Sequence, residues 1–371
     1  MDYISYTYLS LMGMSFAICA LIILLARGKY AALLVGNLPS AVQTMHTRPT
    51  PRLGGLGIFA ALTASMMFVS SDISAPYRNF ILSTSLLFFI SLAEDLRFGI
   101  SPRQRLLAAI GASLFVILSL GVWMPRTDIP FLDAGMGFWM LGVPLTLLVT
   151  SGIANGFNLI DGVNGLASFT GIVAAVALAL IAREAGYYAM TELAMMLAFG
   201  VGGFFLLNYP FGRIFLGDAG AYTLGFVLSW FAISILLNTP LASPWALLLT
   251  LFWPVADTLL AIWRRALRKS SVMAPDRLHV HHLVMRALEI HILGRGRRHI
   301  ANPLTTLLLA PFISAPPLVG VLLWDDTRLA VLAVLGFTAL FLGSYLLAFP
   351  ILRRMQRHPA GKMTGGVLPR T

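Results

Sequence analysis

The chain has 371 residues, 58% of them hydrophobic and 11% charged, with a net charge of +11. A mean hydropathy of +0.83 excludes an ordinary soluble domain, and apolar runs of the length that a bilayer core asks of a helix recur throughout. The single cysteine, Cys19, lies inside one such run, which excludes disulfides within the chain and thiolate metal sites.

In chain order the runs predict eleven spans, near 7–26, 54–71, 79–93, 106–124, 137–153, 165–182, 191–207, 221–238, 245–263, 303–323 and 329–350. The first has neither a basic leader nor a small-residue cleavage site, so it reads as a retained helix. The fifth is interrupted by Gly142 and Pro144, but the charge pattern requires it to cross. With it, 22 Lys and Arg fall on one side, and only Arg78, Arg126, Arg183 and Arg328 on the other. That asymmetry predicts an outside N-terminus and a cytoplasmic C-terminus. The expected fold is an all-α, polytopic membrane bundle over 1–352, followed by a basic tail, 353–371, at the lipid surface or disordered. The positive charge is mostly topology rather than a nucleic-acid surface, and it favours anionic membrane lipids and phosphate ligands.

The predicted outer loops hold Asp72, Asp128, Asp133, Glu184, Glu192, Asp325 and Asp326 with no clustering, as solvated turns do. The inner side differs. Glu94, Asp95, Asp161, Asp218, Asp257, Asp276 and Glu289 all fall there, at or just beyond span ends. Ionisable groups near a bilayer are costly, so their convergence on one face marks a functional site. Together with amides, histidines and arginines they suit a divalent metal and a phosphorylated ligand.

The first inner loop ends His46-Thr47-Arg48-Pro49-Thr50-Pro51-Arg52-Leu53-Gly54-Gly55. Its prolines stiffen the approach, its glycines allow close backbone contact, and Arg48 or Arg52 can face a phosphate. The second opens with Glu94 and Asp95, which on a helix point about 100° apart and cannot grip one ion in the same way. The third runs from Asn155 to Gly165 without Lys or Arg. If helical, it lines up Asn155, Asn158, Asp161 and Asn164, whose donors and acceptors match a nucleobase or ribose. The fourth runs from Asn208 to Gly220 and includes Phe215, able to stack on a base, and Asp218, a helix N-cap or a metal ligand. The fifth carries Asp257, Arg264, Arg265, then Asp276, Arg277, His279, His281 and His282. Its His-x-His lacks partners for a tetrahedral zinc set, and with Arg277 and Arg286 it better fits a diphosphate or sugar.

These segments together resemble the polyprenyl-phosphate N-acetylhexosamine-1-phosphate transferases over nearly the whole length. The carriers are Pro51-Arg52-Leu53-Gly54-Gly55, Glu94-Asp95-Leu96, Asn155 through Gly165, Phe215-Leu216-Gly217-Asp218, Asp257 with Arg264-Arg265, and Pro275 through Leu283. The resemblance implies transfer of N-acetylhexosamine-1-phosphate from a UDP-sugar to undecaprenyl phosphate, releasing UMP, at the cytoplasmic face of a bacterial inner membrane. Such a reaction starts a cell-envelope polysaccharide. It further implies Mg2+, with Mn2+ as a substitute, and leaves a homodimer open. Glu94, Asp95, Asp161 and Asp218 match the family's catalytic acids, Asp218 and Asp95 being its candidates for the metal. Asn158, Asp161 and Phe215 fall where the family holds the nucleoside. The histidines match a His-x-His-His pattern of members that use UDP-N-acetylglucosamine. Glu94 replaces the usual aspartate, and Asn164 stands where many members have another. The alternatives are the same chemistry with another UDP-N-acetylhexosamine and, more distantly, a transporter of an anionic lipid or nucleotide sugar. A transporter places its charges nearer the midplane, on broken helices in two related halves.

Overall fold

A computed structural model describes residues 2–28, 50–267 and 278–357. The helices in these segments are, in chain order, α1 (Asp2–Leu25), α2 (Gly55–Ala64) with a 3-10 turn to Met67, α3 (Ser71–Asp95), α4 (Pro102–Leu120) and α5 (Pro130–Met136). There follow α6 (Trp139–Ile160), α7 (Leu166–Glu184), α8 (Tyr188–Asn208), α9 (Gly217–Asn238), α10 (Pro244–Thr250) and α11 (Phe252–Leu267). After the second undescribed stretch come α12 (Val280–Leu288), a π turn, α13 (Arg298–Leu322) and α14 (Thr327–Arg357). The described chain is all-helical and multi-pass, as expected. Most of the tail lies outside the described residues.

Among the described residues eight helices are long and apolar enough to cross a membrane, or nine if α10 and α11 are one span. That pair is bent by 85°, so the continuous helix expected over 245–263 is broken. Pro254, early in α11, cannot donate to the preceding turn and disfavours helix just before itself. Two other expected spans fall outside the eight. The run at 54–71 forms only the short α2 and its 3-10 turn. The run at 79–93 lies inside the 25-residue α3, whose ends carry Asp72, Arg78, Asn79, Glu94 and Asp95 and lower its hydropathy. The interrupted fifth run forms an unbroken α6, with Pro144 in its second turn.

The bundle is built around α9. Of its apolar window 89% is buried, against 28% for α1 and 22% for α14, which form the lipid-facing exterior. Without a strong hydrophobic drive between helices in lipid, close packing decides which helix is central, and small residues allow it. Gly225 is such a place, where a Cβ would lie 2.8 Å from the Ala154 Cα on α6. Gly55 of α2 is another, where a Cβ would lie 2.7 Å from the Gly220 Cα. The helix that starts at Gly217 is therefore gripped from both sides, and that fixes where Asp218 in its first turn sits.

At the opposite end of the bundle two of the outer acids, Asp128 and Asp133, are not free turns but are tied into a network between loops. Arg126 pairs with Asp128 at 3.1 Å and donates to the carbonyls of Leu236, Pro240 and Ala242 at the end of α9. Asp128 accepts from the Thr327 hydroxyl at 2.6 Å, and Asp133 accepts from both the backbone and the hydroxyl of Thr127. Three loops far apart in sequence meet there, a proximity that loop composition cannot reveal.

Candidate functional site

At the N-terminus of α9 the chain enters the helix through Gly217, whose φ of +75° suits glycine, and the first amides have no intrahelical partner. Asp95, the last residue of α3, supplies the missing acceptors. Its two carboxylate oxygens accept from the backbone N–H of Asp218 at 2.9 Å and of Ala219 at 2.8 Å. This carboxylate sits where the helix dipole favours negative charge, and its side chain is 1% exposed. Asp218, next in α9, does not cap the helix with its side chain. Its carboxylate instead pairs with Arg105 from α4 and with Arg52 at 3.3 Å. The two arginines differ: Arg105 is 11% exposed, whereas Arg52 is 60% exposed and lies at the rim.

Arg52 is placed by backbone pairing. The N–H groups of Gly54 and Gly55 donate to the carbonyls of Phe215 and Leu216, and that of Phe215 donates to Pro51, each at 2.9 Å. The segments 51–55 and 215–218 thus form one unit, with the Phe215 side chain half-buried. Glu94, one residue before Asp95, has a buried Oε2 without a hydrogen-bond partner among the described residues.

Asn155 and Asn158 lie on the last turns of α6, and Asn155 accepts from the Tyr222 hydroxyl at 3.0 Å. The Arg105 guanidinium lies 5.9 Å from the centre of the Tyr222 ring, which links these amides to Asp218. The expected single face of four polar residues stops there. Helix α6 ends at Ile160, Asp161 leaves it with ψ 51°, and the turn reaches Gly165 at φ +80°, so Asp161 and Asn164 project from a turn. Burial pushes the Asp161 carboxyl up to about 7, against the opposing pull of the Arg52 guanidinium. Asn164 and Asn208 are structural neighbours. The Asn164 amide donates to the Pro210 carbonyl at 2.9 Å, and Asn208 accepts from the Gly165 N–H and donates to the Ile214 carbonyl.

Asp257 is buried on α11 and holds the histidine segment. It accepts from His279 Nδ1 at 2.6 Å and from the Val280 N–H at 3.3 Å. His281 and His282 pack their rings 4.1 Å apart, over Gly162 next to Asp161. A Cβ at Gly162 would lie 2.9 Å from His282 Nε2 and closer still to His281. Arg48, Asp276 and Arg277 lie outside the described residues.

His281 is fully buried, and neither ring nitrogen has a hydrogen-bond partner among the described residues. Burial first, then the neighbouring His282 and His279, lower its pKa well below 6.5. Below that pH the unfolded chain binds a proton that the folded one refuses, so folding is weakened as pH falls. The His281→Leu variant is expected to lose less apparent Tm than wild type between pH about 7.5 and 5.5. Equal losses would remove this histidine from the acid response.

Arg105 and Tyr222 were absent from the sequence expectations. Arg105 was legible: it shares one helical stripe with Ala108, Ala109 and Ala112, all buried, which Arg103 does not.

No three His, Cys, Asp or Glu side chains among the described residues are grouped to hold a metal by themselves. Magnesium is commonly held by one or two carboxylates plus substrate phosphates and water, and the buried Asp218 carboxylate could be one of them. The exposed Arg52 can leave Asp218.

Residues 77–236 match the family model described as glycosyl transferase family 4. The chain is 28% identical over 242 residues to a probable undecaprenyl-phosphate N-acetylglucosaminyl 1-phosphate transferase of Bacillus subtilis, covering 65% of this chain and 67% of that protein. It is 30% identical over 282 residues to the decaprenyl-phosphate N-acetylglucosaminephosphotransferase of Mycobacterium tuberculosis, covering 67% and 68%. With the undecaprenyl-phosphate alpha-N-acetylglucosaminyl 1-phosphate transferase of Salmonella typhi it shares 29% over 253 residues, covering 65% and 67%.

Proposed function

We propose that this chain, which belongs to glycosyl transferase family 4 and transfers a sugar-1-phosphate onto a polyprenyl phosphate, takes UDP-N-acetylglucosamine as donor and undecaprenyl phosphate as acceptor. The work is done at the cytoplasmic face of a bacterial inner membrane, at the start of a cell-envelope polysaccharide. An oxygen of the lipid phosphate attacks the sugar-bearing phosphorus of the donor. The bond from that phosphorus to the bridging oxygen breaks, and UMP leaves with that oxygen. Two anions must meet, so the barrier is largely charge repulsion, and positioned cations lower it.

The observation that supports this reading best is the buried Asp218 carboxylate at the start of α9, between one buried arginine and one exposed one. Asp218 would hold Mg2+, with Asp95 keeping the helix start in place and Glu94 or Asp161 beside it. Bound there, Mg2+ supplies charge neutralisation and orientation of the phosphates. Arg52, at the rim, is free to meet an incoming phosphate. Asn155, Asn158 and Phe215 suit the nucleoside, and His279, His281 and His282 suit the sugar end. The lipid phosphate is already ionised near neutral pH, so no side chain need act as a strong base.

Purified protein with Mg2+, undecaprenyl phosphate and radiolabelled UDP-N-acetylglucosamine is expected to move label into the organic phase with equal release of UMP. No label there with this donor, but transfer from another UDP-N-acetylhexosamine, would replace the donor and keep the reaction. Unchanged nucleotide sugar accumulating inside vesicles would favour transport.

A further inference from the structure

The turn from Asp161 to Gly165 joins two helices without belonging to either, and its backbone groups need partners from elsewhere. Two residues of α13, neither of them among the sequence candidates, serve the middle of it. The Asn164 N–H donates to Asn302 Oδ1 at 2.7 Å, and the Thr306 hydroxyl donates to the Asn164 carbonyl at 2.6 Å. Asn302 and Thr306 are one helical turn apart and therefore on the same face. They are 2% and 3% exposed, so water cannot replace either bond. Both backbone groups of one turn residue are thus held by side chains more than a hundred positions away.

The same stretch of chain reaches the turn a second time. Helix α12, which carries His281 and His282, leads through the π turn that begins at Glu289 to α13, whose Arg298 pairs with Glu289 at 2.6 Å. The rings of His281 and His282 close over Gly162, while Asn302 and Thr306 hold Asn164. The turn carrying Asp161 is gripped at both ends by one continuous segment, 279–306.

We propose that Asn302 and Thr306 are positioning residues that fasten the Asp161-bearing turn to the histidine segment, so that the two halves of the site keep a fixed relation. The proposal concerns the site assigned above, and its activity arm rests on that reading. Reacting groups misplaced by about 1 Å can lose about a hundredfold in rate, so a turn freed from α13 should cost turnover rather than lipid binding.

The test uses the full chain in detergent, with the variants Thr306→Val, Thr306→Ser and Asn302→Leu. Hydrogen exchange followed by mass spectrometry is expected to rise at least about tenfold in the peptide covering 161–165 for Thr306→Val and Asn302→Leu, with the middle of α7 still protected. In the transfer assay kcat should fall about 10- to 100-fold, with KM for undecaprenyl phosphate changed by less than about threefold. Thr306→Ser, which keeps the hydroxyl, should recover at least about half of kcat; a purely packing role would not give that rescue. Unchanged exchange in both disrupted variants, or a kcat within about twofold of wild type, overturns the proposal. Should wild type make no product from UDP-N-acetylglucosamine, the donor assignment fails and the exchange result alone decides on the clasp.

Discussion

Asp218→Asn is expected to lower kcat by at least about two to three orders of magnitude at saturating concentrations of both substrates. Asparagine keeps the volume and one acceptor oxygen, so the packing of the first turn of α9 is preserved. What it removes is the negative charge that a magnesium ion needs where two anionic substrates meet. A cation bound without that carboxylate would sit in the field of Arg52 and Arg105, both of which face this position. The variant leaves Arg105 without its partner and loses stability for it, but it should still fold, since the start of α9 is held by Asp95 through the backbone amides and not by the Asp218 side chain. A single symmetric peak on gel filtration, together with product formation measured at several Mg2+ concentrations, separates the alternatives. Wild-type turnover in this variant would remove Asp218 from the metal site, and activity regained simply by raising Mg2+ would mark its role as affinity alone.

The one-sided layout of the acids was legible because a bilayer makes charge expensive, and that economy shows in spacing. Asp95, Asp161, Asp218 and Asp257 all meet at one end, where the span ends placed them. The sequence showed less of what each carboxylate does. Asp95 is the acceptor for the amides of another helix, a bond across 123 positions that no local pattern announces. Asp257 anchors the histidine segment in the same manner, across 22 positions. Asn302 and Thr306 read only as the polar start of a membrane helix, because their meaning lies in a turn 138 to 142 residues away. Helix periodicity also misled at Asp161, where the chain leaves α6 one residue before the third polar group of the expected face, so that neither Asp161 nor Asn164 continues it. Patterns of period and hydropathy report what a segment can bury, whereas partners across the fold decide which buried polar groups are tolerable.

Arg105→Leu is expected to destabilise the protein by about 3–5 kcal/mol in the absence of Mg2+. The Asp218 side chain is only 8% exposed, and it would be left with Arg52 alone, at 3.3 Å and mostly in solvent. Removing one member of a buried pair strands the other charge, whereas removing both relieves the desolvation cost. Arg105→Leu combined with Asp218→Leu should therefore recover much of the loss, and the shortfall from additivity measures the coupling. Magnesium gives the same pair a second readout. A ligand stabilises the state that binds it, by about 2.7 kcal/mol at a hundred times its Kd. If the ion lodges on Asp218, it replaces the missing cation in Arg105→Leu and should raise that variant's apparent Tm more than wild type's. Thermal unfolding of the four proteins in detergent, with magnesium and with a chelator, supplies every term. Equal magnesium shifts in wild type and Arg105→Leu would place the cation elsewhere. A single variant as stable as wild type would mean that the arginine and the carboxylate do not depend on one another.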